Sequence, residues 1–187
     1  SIVLNLPTVV FKVNDYPAAL DEDQISNAIE EELAEHFIFK NNDPCISATA
    51  LPNSTIQFNK VAYTAAQRTT IVELVMAIKD LGYKTLAIDT SVNSTFNALM
   101  LKDRVNVEGD VSWVLLIVEN NCCRVLPMSG NNYVDAFEER ISIGEVLGDA
   151  ENYSTVISAV SPLLKNLPSQ YLCVVSKTNV ISAEVLA

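Results

Sequence analysis

The chain has 187 residues and a formal net charge of −11 at pH 7; 49% of its residues are hydrophobic and 19% are charged. This acidic balance argues against binding to nucleic-acid backbones or anionic membranes, because both attract basic surfaces. No apolar run reaches the roughly 18 residues that indicate a membrane-spanning helix. At this length we expect one domain over 1–187. The four cysteines are interpreted as reduced thiols, so we expect the chain in the cytoplasm or in an intracellular virus particle.

The N-terminal third predicts a strand region followed by a helix. Residues 2–13 are rich in Val, Ile and Leu but contain Pro7, which predicts an edge strand or two short strands separated at the proline. Asp21 is a favoured N-cap residue, and Gln24 stands where it completes a capping box. The apolar stripe of this helix is predicted to contain Ile25, Ile29, Leu33 and Phe37.

Two short strands are predicted next, at 45–51 and 55–63. The strongest helical pattern of the chain follows over 64–81, with Thr64 as the N-cap and Gln67 closing a second capping box. Apolar residues on one face support this helix; they are Ile71, Leu74, Val75, Ile78 and Leu81.

The clearest structural signal lies at 113–128, where two apolar runs flank Asn120 and Asn121. Asn tolerates the left-handed backbone of a two-residue turn, so this pair predicts a β-hairpin. The pairing places Val118 opposite Cys123 and leaves both faces of the hairpin apolar. Strands of this kind are covered on both sides, so we expect the hairpin at the centre of a sheet.

The rest of the chain predicts a strand at 137–143 (with a helix as the alternative), a helix at 149–166 and a strand at 170–176. The order of elements is neither strict β-α-β alternation nor all-β. We therefore predict an α+β fold, in which a mixed or mostly antiparallel sheet has helices packed on one or both faces. The apolar ends, 1–13 and 180–187, are expected to serve as assembly arms.

No catalytic, cofactor or metal site is predicted. The five glycines are isolated and form no phosphate-binding loop. The single histidine, His36, has no partner for catalysis in the sequence, and the four cysteines are not spaced as zinc ligands. The adjacent Cys122 and Cys123 are interpreted as reduced packing residues.

The best-placed polar cluster is Asp89, Thr90 and Ser91, after a strand predicted over 83–89 and at the start of another predicted helix. Ligands of α/β proteins often bind where a strand ends and a helix begins. Helix capping explains the same three residues without a ligand. They are therefore a weak candidate for a ligand loop.

Three functions are compatible with these features. The absence of catalytic motifs and the high apolar content favour a non-enzymatic structural or assembly subunit that mediates protein–protein contacts, such as a homo-oligomer or a virion component. The alternative is a small enzyme that uses Asp89 with a second carboxylate about 5–9 Å away. A further alternative is an acidic decoy of a basic target, acting through Glu30, Glu31 and Glu32.

Overall fold

The computed structural model describes residues 2–4, 9–40, 43–52, 54–102, 109–144, 149–167, 169 and 171–178. The chain divides into two compact units, unit 1 over residues 1–104 and unit 2 over residues 105–187. Both units combine helices with sheets that are mostly antiparallel, which confirms the predicted α+β class. The count of one domain over 1–187 stays a prediction.

Unit 1 contains five strands and three helices among its described residues. They are β1 (Ile2–Leu4), β2 (Val10–Pro17), α1 (Glu22–Glu35), β3 (Pro44–Ala50), β4 (Phe58–Gln67), α2 (Arg68–Asp80), β5 (Ile88–Thr90) and α3 (Ser91–Leu101). Strands β2, β4 and β3 form an antiparallel sheet with β4 in the middle, and β1 pairs with β5 in parallel. The predicted strand region at 2–13 is thus two strands, the second of which continues to Pro17.

Helix α1 begins as its capping signal predicts. The backbone N–H of Gln24 donates to Asp21 Oδ1 at 2.8 Å, and the backbone N–H of Asp21 donates to Gln24 Oε1 at 3.0 Å. Ile29 and Leu33 are buried in the core that α1 shares with the sheet. Phe37 was expected on the same stripe but is exposed, because the helix ends two residues earlier and the four-residue period ends with it.

The predicted start of α2 is wrong. Strand β4 continues to Gln67, Thr64 pairs with Ser47 of β3, and the Gln67 side chain makes no capping hydrogen bond. The ladder with β3 binds these backbone groups, so a local capping signal loses to strand pairing. Gly82, with φ of +84°, follows the end of α2 as expected, whereas the strand predicted over 83–89 is limited to β5.

Unit 2 contains one helix and five strands among its described residues. They are β6 (Ser112–Val118), β7 (Cys122–Ser129), β8 (Asn132–Tyr133), β9 (Phe137–Arg140), α4 (Asp149–Leu164) and β10 (Tyr171–Ser176). Strand β7 pairs with β6, β8 and β9 in antiparallel fashion, and β10 pairs with β6 in parallel. The elements predicted at 137–143, 149–166 and 170–176 are therefore present, with β9 shorter than expected.

The hairpin β6–β7 lies at the centre of its sheet and has the predicted register, with Val118 opposite Cys123. The turn is closed by the backbone N–H of Glu119, which donates to the Cys122 carbonyl at 2.9 Å. Helix α4 packs Val156 against one face of the hairpin. This arrangement confirms a central hairpin with a helix on its sheet.

The two predicted assembly arms have different outcomes. Within 1–13, residues 2–4 form β1 and residues 10–13 belong to β2, and both strands pair with other strands of unit 1. Residues 180–187 lie outside the described residues. An assembly role of either end stays a prediction. Within the described part of the chain, no helix is both long enough and apolar enough to cross a membrane.

Candidate functional site

The sheet β2-β4-β3 has two faces of different character, because side chains alternate along each strand. The face towards α1, called here the inner face, is filled by large side chains. They include Val10, Tyr16, Val61 and Tyr63 of the sheet and Ile29 and Leu33 of α1. These side chains pack together as one hydrophobic cluster between the sheet and α1.

The opposite face, called here the outer face, carries small side chains where β3 and β4 pair. Cys45 lies opposite Ala66, and Ser47 lies opposite Thr64. Small side chains do not fill the space above a sheet. A cavity of about 180 Å³ opens there, and we call it the Asp89 cavity. Its walls come from residues 45–47 of β3, 64–66 of β4 and 88–90 of β5, with Val9 and Ile71.

Asp89 is the only residue with a formal charge among the described residues that form these walls. Its carboxylate accepts two hydrogen bonds, one on each oxygen. Oδ1 accepts the backbone N–H of Thr90 at 2.8 Å, and Oδ2 accepts the Ser94 hydroxyl at 3.4 Å. An ionised carboxylate has about four acceptor positions, so Asp89 retains capacity for a further donor.

The other two residues of the predicted ligand loop have structural roles. The Thr90 hydroxyl oxygen accepts the backbone N–H of Asn93 at 3.3 Å and caps α3, as the capping interpretation predicts. Ser91 is buried, and its carbonyl accepts the Thr95 hydroxyl at 2.6 Å. Thr90 also contributes to the cavity wall. Ligand binding by the loop stays a prediction.

A second polar cluster lies in unit 2, beside the turn of the hairpin, and sequence reasoning missed it. The buried Arg124 donates through one terminal nitrogen to the buried Glu119 and through Nε to Glu138 at 2.8 Å. Lys177 Nζ lies 3.6 Å from the other Glu119 oxygen, and burial lowers the pKa of Lys177. The cluster thus joins two cations to two anions beside the turn of the hairpin. The sequence contained one signal for this cluster, namely the charged residues Glu119 and Arg124 within an otherwise apolar hairpin.

The cysteines of the hairpin are poor nucleophiles in this structure. Both are free thiols, and burial raises the pKa of Cys122 to about 12 and that of Cys123 to about 11. A thiol at such a pKa is protonated at neutral pH, and only the thiolate is reactive. This supports their interpretation as packing residues.

The single histidine lies against an aromatic side chain at the end of a helix. His36 ends α1, where its ring stacks on Phe37 at 5.0 Å between centroids and its Nδ1 accepts the backbone N–H of Ile38 at 3.4 Å. Among the residues that the structure describes, no group of three or more His, Cys, Asp or Glu side chains could hold a metal ion.

Comparison with known proteins gives a likeness of fold. No protein-family model matches the chain, and no curated protein matches it in sequence. A chain of the PilM-PilN type IV pilus biogenesis complex is 14% identical with a TM-score of 0.65, and the match covers 98% of this chain and 64% of that one. A Bacteroides thetaiotaomicron protein described as having an actin-like ATPase fold and unknown function is 11% identical with a TM-score of 0.50.

The second match covers 93% of this chain and 59% of the Bacteroides protein. This chain therefore spans less than two thirds of the length of either solved structure. The likeness establishes a shared fold. Neither description mentions a virion, so the virion hypothesis gains no support from these structures.

Proposed function

We propose that this chain is a non-enzymatic assembly subunit that binds a partner protein. The main observation behind this proposal is the exposure of helix α2. All of its residues are described and none is buried. Two apolar side chains one turn apart, Val72 and Met76, are 48% and 58% exposed. Neighbouring apolar side chains left in water mark a surface that a partner covers in many proteins. We call Val72 and Met76 the α2 surface.

The likeness of fold supports this proposal in a general way. One of the similar structures is a complex of two proteins, PilM and PilN, that acts in pilus biogenesis. A subunit that shares the fold over 98% of its length is suited to an assembly role of the same broad kind. The partner in our proposal is a second protein; a homo-oligomer is the other arrangement within the same class.

Catalysis is left out of the proposal. The described walls of the Asp89 cavity contain one carboxylate, whereas paired acid and base chemistry needs two. The five isolated glycines offer no backbone loop for a phosphate. The acidic decoy has weaker support than the assembly role, because Glu32 bonds to Lys12 and Asn14 of the sheet instead of lying free on the helix face.

A matched pair of variants tests the α2 surface. Met76→Glu places a charge on it, and Ile157→Glu does the same on helix α4, where Ile157 is 54% exposed. Each tagged protein is used to capture partners from an extract of its source organism, with quantitative mass spectrometry as the readout. We expect a set of proteins that wild type and Ile157→Glu enrich equally and that Met76→Glu enriches at least about 10-fold less, which corresponds to about 1.4 kcal/mol.

Light scattering on the isolated protein distinguishes binding of a different protein from formation of a homo-oligomer. A hetero-partner predicts a monomer for wild type, whereas a homo-oligomer predicts a larger mass that Met76→Glu lowers. If no protein is enriched and the isolated chain is a monomer, the assembly role is wrong. Equal loss with Met76→Glu and Ile157→Glu would likewise reject the α2 surface as the contact.

A further inference from the structure

We propose that the Asp89 cavity binds an aliphatic side chain that stands next to a cationic group on the partner protein. This inference rests on the proposed function, since it names the chemistry of the partner. It adds a second contact to the α2 surface, within the same unit of the chain, and it gives Asp89 a role beyond its hydrogen bonds to Thr90 and Ser94.

The volume of the Asp89 cavity indicates how large a group it can bind. The Asp89 cavity has a volume of about 180 Å³. A dry apolar cavity of roughly 150 Å³ is enough to take up a benzene molecule. One Leu, Ile or Val side chain therefore has room in the Asp89 cavity.

The residues that line the Asp89 cavity favour an apolar guest. Ile71 of α2, Ile88 of β5 and Val9 contribute aliphatic surface, and Ala66 adds a buried methyl group. Apolar area removed from water contributes about 25 cal/mol per Å², so an aliphatic guest gains more here than a polar one. The cavity is partly open to solvent, which lets a side chain enter without unfolding of the sheet.

The charge of Asp89 favours a cationic group next to the aliphatic one. Asp89 supplies the only formal charge of the described walls, and the whole chain has a net charge of −11. An anionic neighbour of the guest would be repelled, whereas an ammonium or guanidinium group can donate a charge-assisted hydrogen bond to Asp89. Because Ser94 and the Thr90 N–H already orient this carboxylate, little side-chain freedom is lost when the cation binds.

Three small probes with the same branched five-carbon skeleton separate these contributions. 3-Methylbutan-1-amine carries the aliphatic group with a cation, 3-methylbutan-1-ol carries it without charge, and 3-methylbutanoate carries it with an anion. Binding is measured by NMR titration of the ¹⁵N-labelled chain, following the amides of residues 45–47, 64–66 and 88–90. We expect the amine to bind with a dissociation constant on the order of millimolar, about 10-fold tighter than the alcohol, and the carboxylate to give no saturable shift.

Variants of the chain separate the contribution of the Asp89 charge from that of the cavity volume. Asp89→Asn should bring the amine to the affinity of the alcohol, whereas Glu30→Gln, which removes an exposed carboxylate of α1, should leave both affinities unchanged. Ala66→Leu fills the cavity and should abolish binding of all probes. If that variant does not fold, Ser47→Leu fills the cavity from β3 instead.

The inference is rejected when none of the three probes binds. Equal binding of amine, alcohol and carboxylate rules out a role of Asp89 in selecting the guest. Binding that survives both filling variants places the probes outside the cavity. The probes need no partner protein, so their failure leaves the capture experiment with Met76→Glu unaffected. A failed capture experiment with positive probes would keep the cavity as a binding site and reject the assembly role.

Discussion

The β6–β7 hairpin and the outer face of the β2-β4-β3 sheet are built from similar ladders but differ in what stands on them. Every residue from Trp113 to Val118 is buried, and so is every residue from Cys122 to Met128. On the outer face, the paired positions of β3 and β4 carry Cys, Ser, Thr and Ala, and a cavity remains. Backbone pairing alone therefore does not fill a core. The hairpin provides stability, and the unfilled face leaves space for a ligand.

The largest expected effect on stability comes from removing side-chain volume from the tightly packed β6–β7 hairpin. Leu115 in β6 is fully buried, and we expect Leu115→Ala to lower the free energy of unfolding by about 2–5 kcal/mol. Urea denaturation of the purified chain measures this. Leu101→Ala is the control, because Leu101 is 86% exposed and its loss should change stability by less than about 0.5 kcal/mol. Similar losses for both variants would mean that the burial of Leu115 contributes nothing special to stability.

The next effect comes from adding volume to each region. Cys123→Leu inserts extra atoms into a region without space and should cost about 1–3 kcal/mol. Ala66→Leu inserts more atoms next to the Asp89 cavity and should cost less than about 0.5 kcal/mol, since the new side chain has a place to go. Equal costs in urea denaturation would mean that the outer face is as tightly packed as the hairpin.

The same contrast explains which features could be predicted from the sequence. The hairpin was predicted with its correct register because its information is local: two asparagines and the apolar runs on either side. The capping box of α1 is local too, with Asp21 and Gln24 three residues apart. Signals of this kind lie within a few residues and need no knowledge of the rest of the fold.

The wrong start of α2 arose where a distant strand overrides a local signal. Thr64 and Gln67 resemble a capping box, but their backbone groups belong to a ladder with β3, about twenty residues away. The Asp89 cavity combines segments that lie apart in the sequence, from Val9 to Thr90. Asp89 and Thr90 were predicted from their place between a strand and a helix. The contributions of Cys45, Ser47 and Ala66 depend on strand pairing, which the sequence did not reveal.

The smallest expected effect concerns the inner face of the same sheet and appears only at high pH. Burial, reinforced by the nearby Glu32 carboxylate, raises the pKa of the Tyr63 hydroxyl well above its ordinary value of 10.0. The folded state therefore keeps this proton where the unfolded state, with a pKa near 10, loses it. The resulting stabilisation is complete below pH 10 and is lost as the pH rises towards the folded pKa.

Tyr63→Phe tests this without changing the shape of the core. Between pH 10 and pH 11 the wild type should lose about 1 kcal/mol more than the variant, because the unfolded tyrosine goes from half ionised to almost fully ionised while the folded one keeps its proton. Urea denaturation at pH 8, 10 and 11 measures the slope, and Tyr83→Phe, at an exposed tyrosine, should leave it unchanged. Buried thiols such as Cys123 titrate in both proteins and cancel in the comparison. If Tyr63→Phe and wild type lose stability in parallel, water reaches the Tyr63 hydroxyl, and the inner face would be as open as the outer face across the sheet.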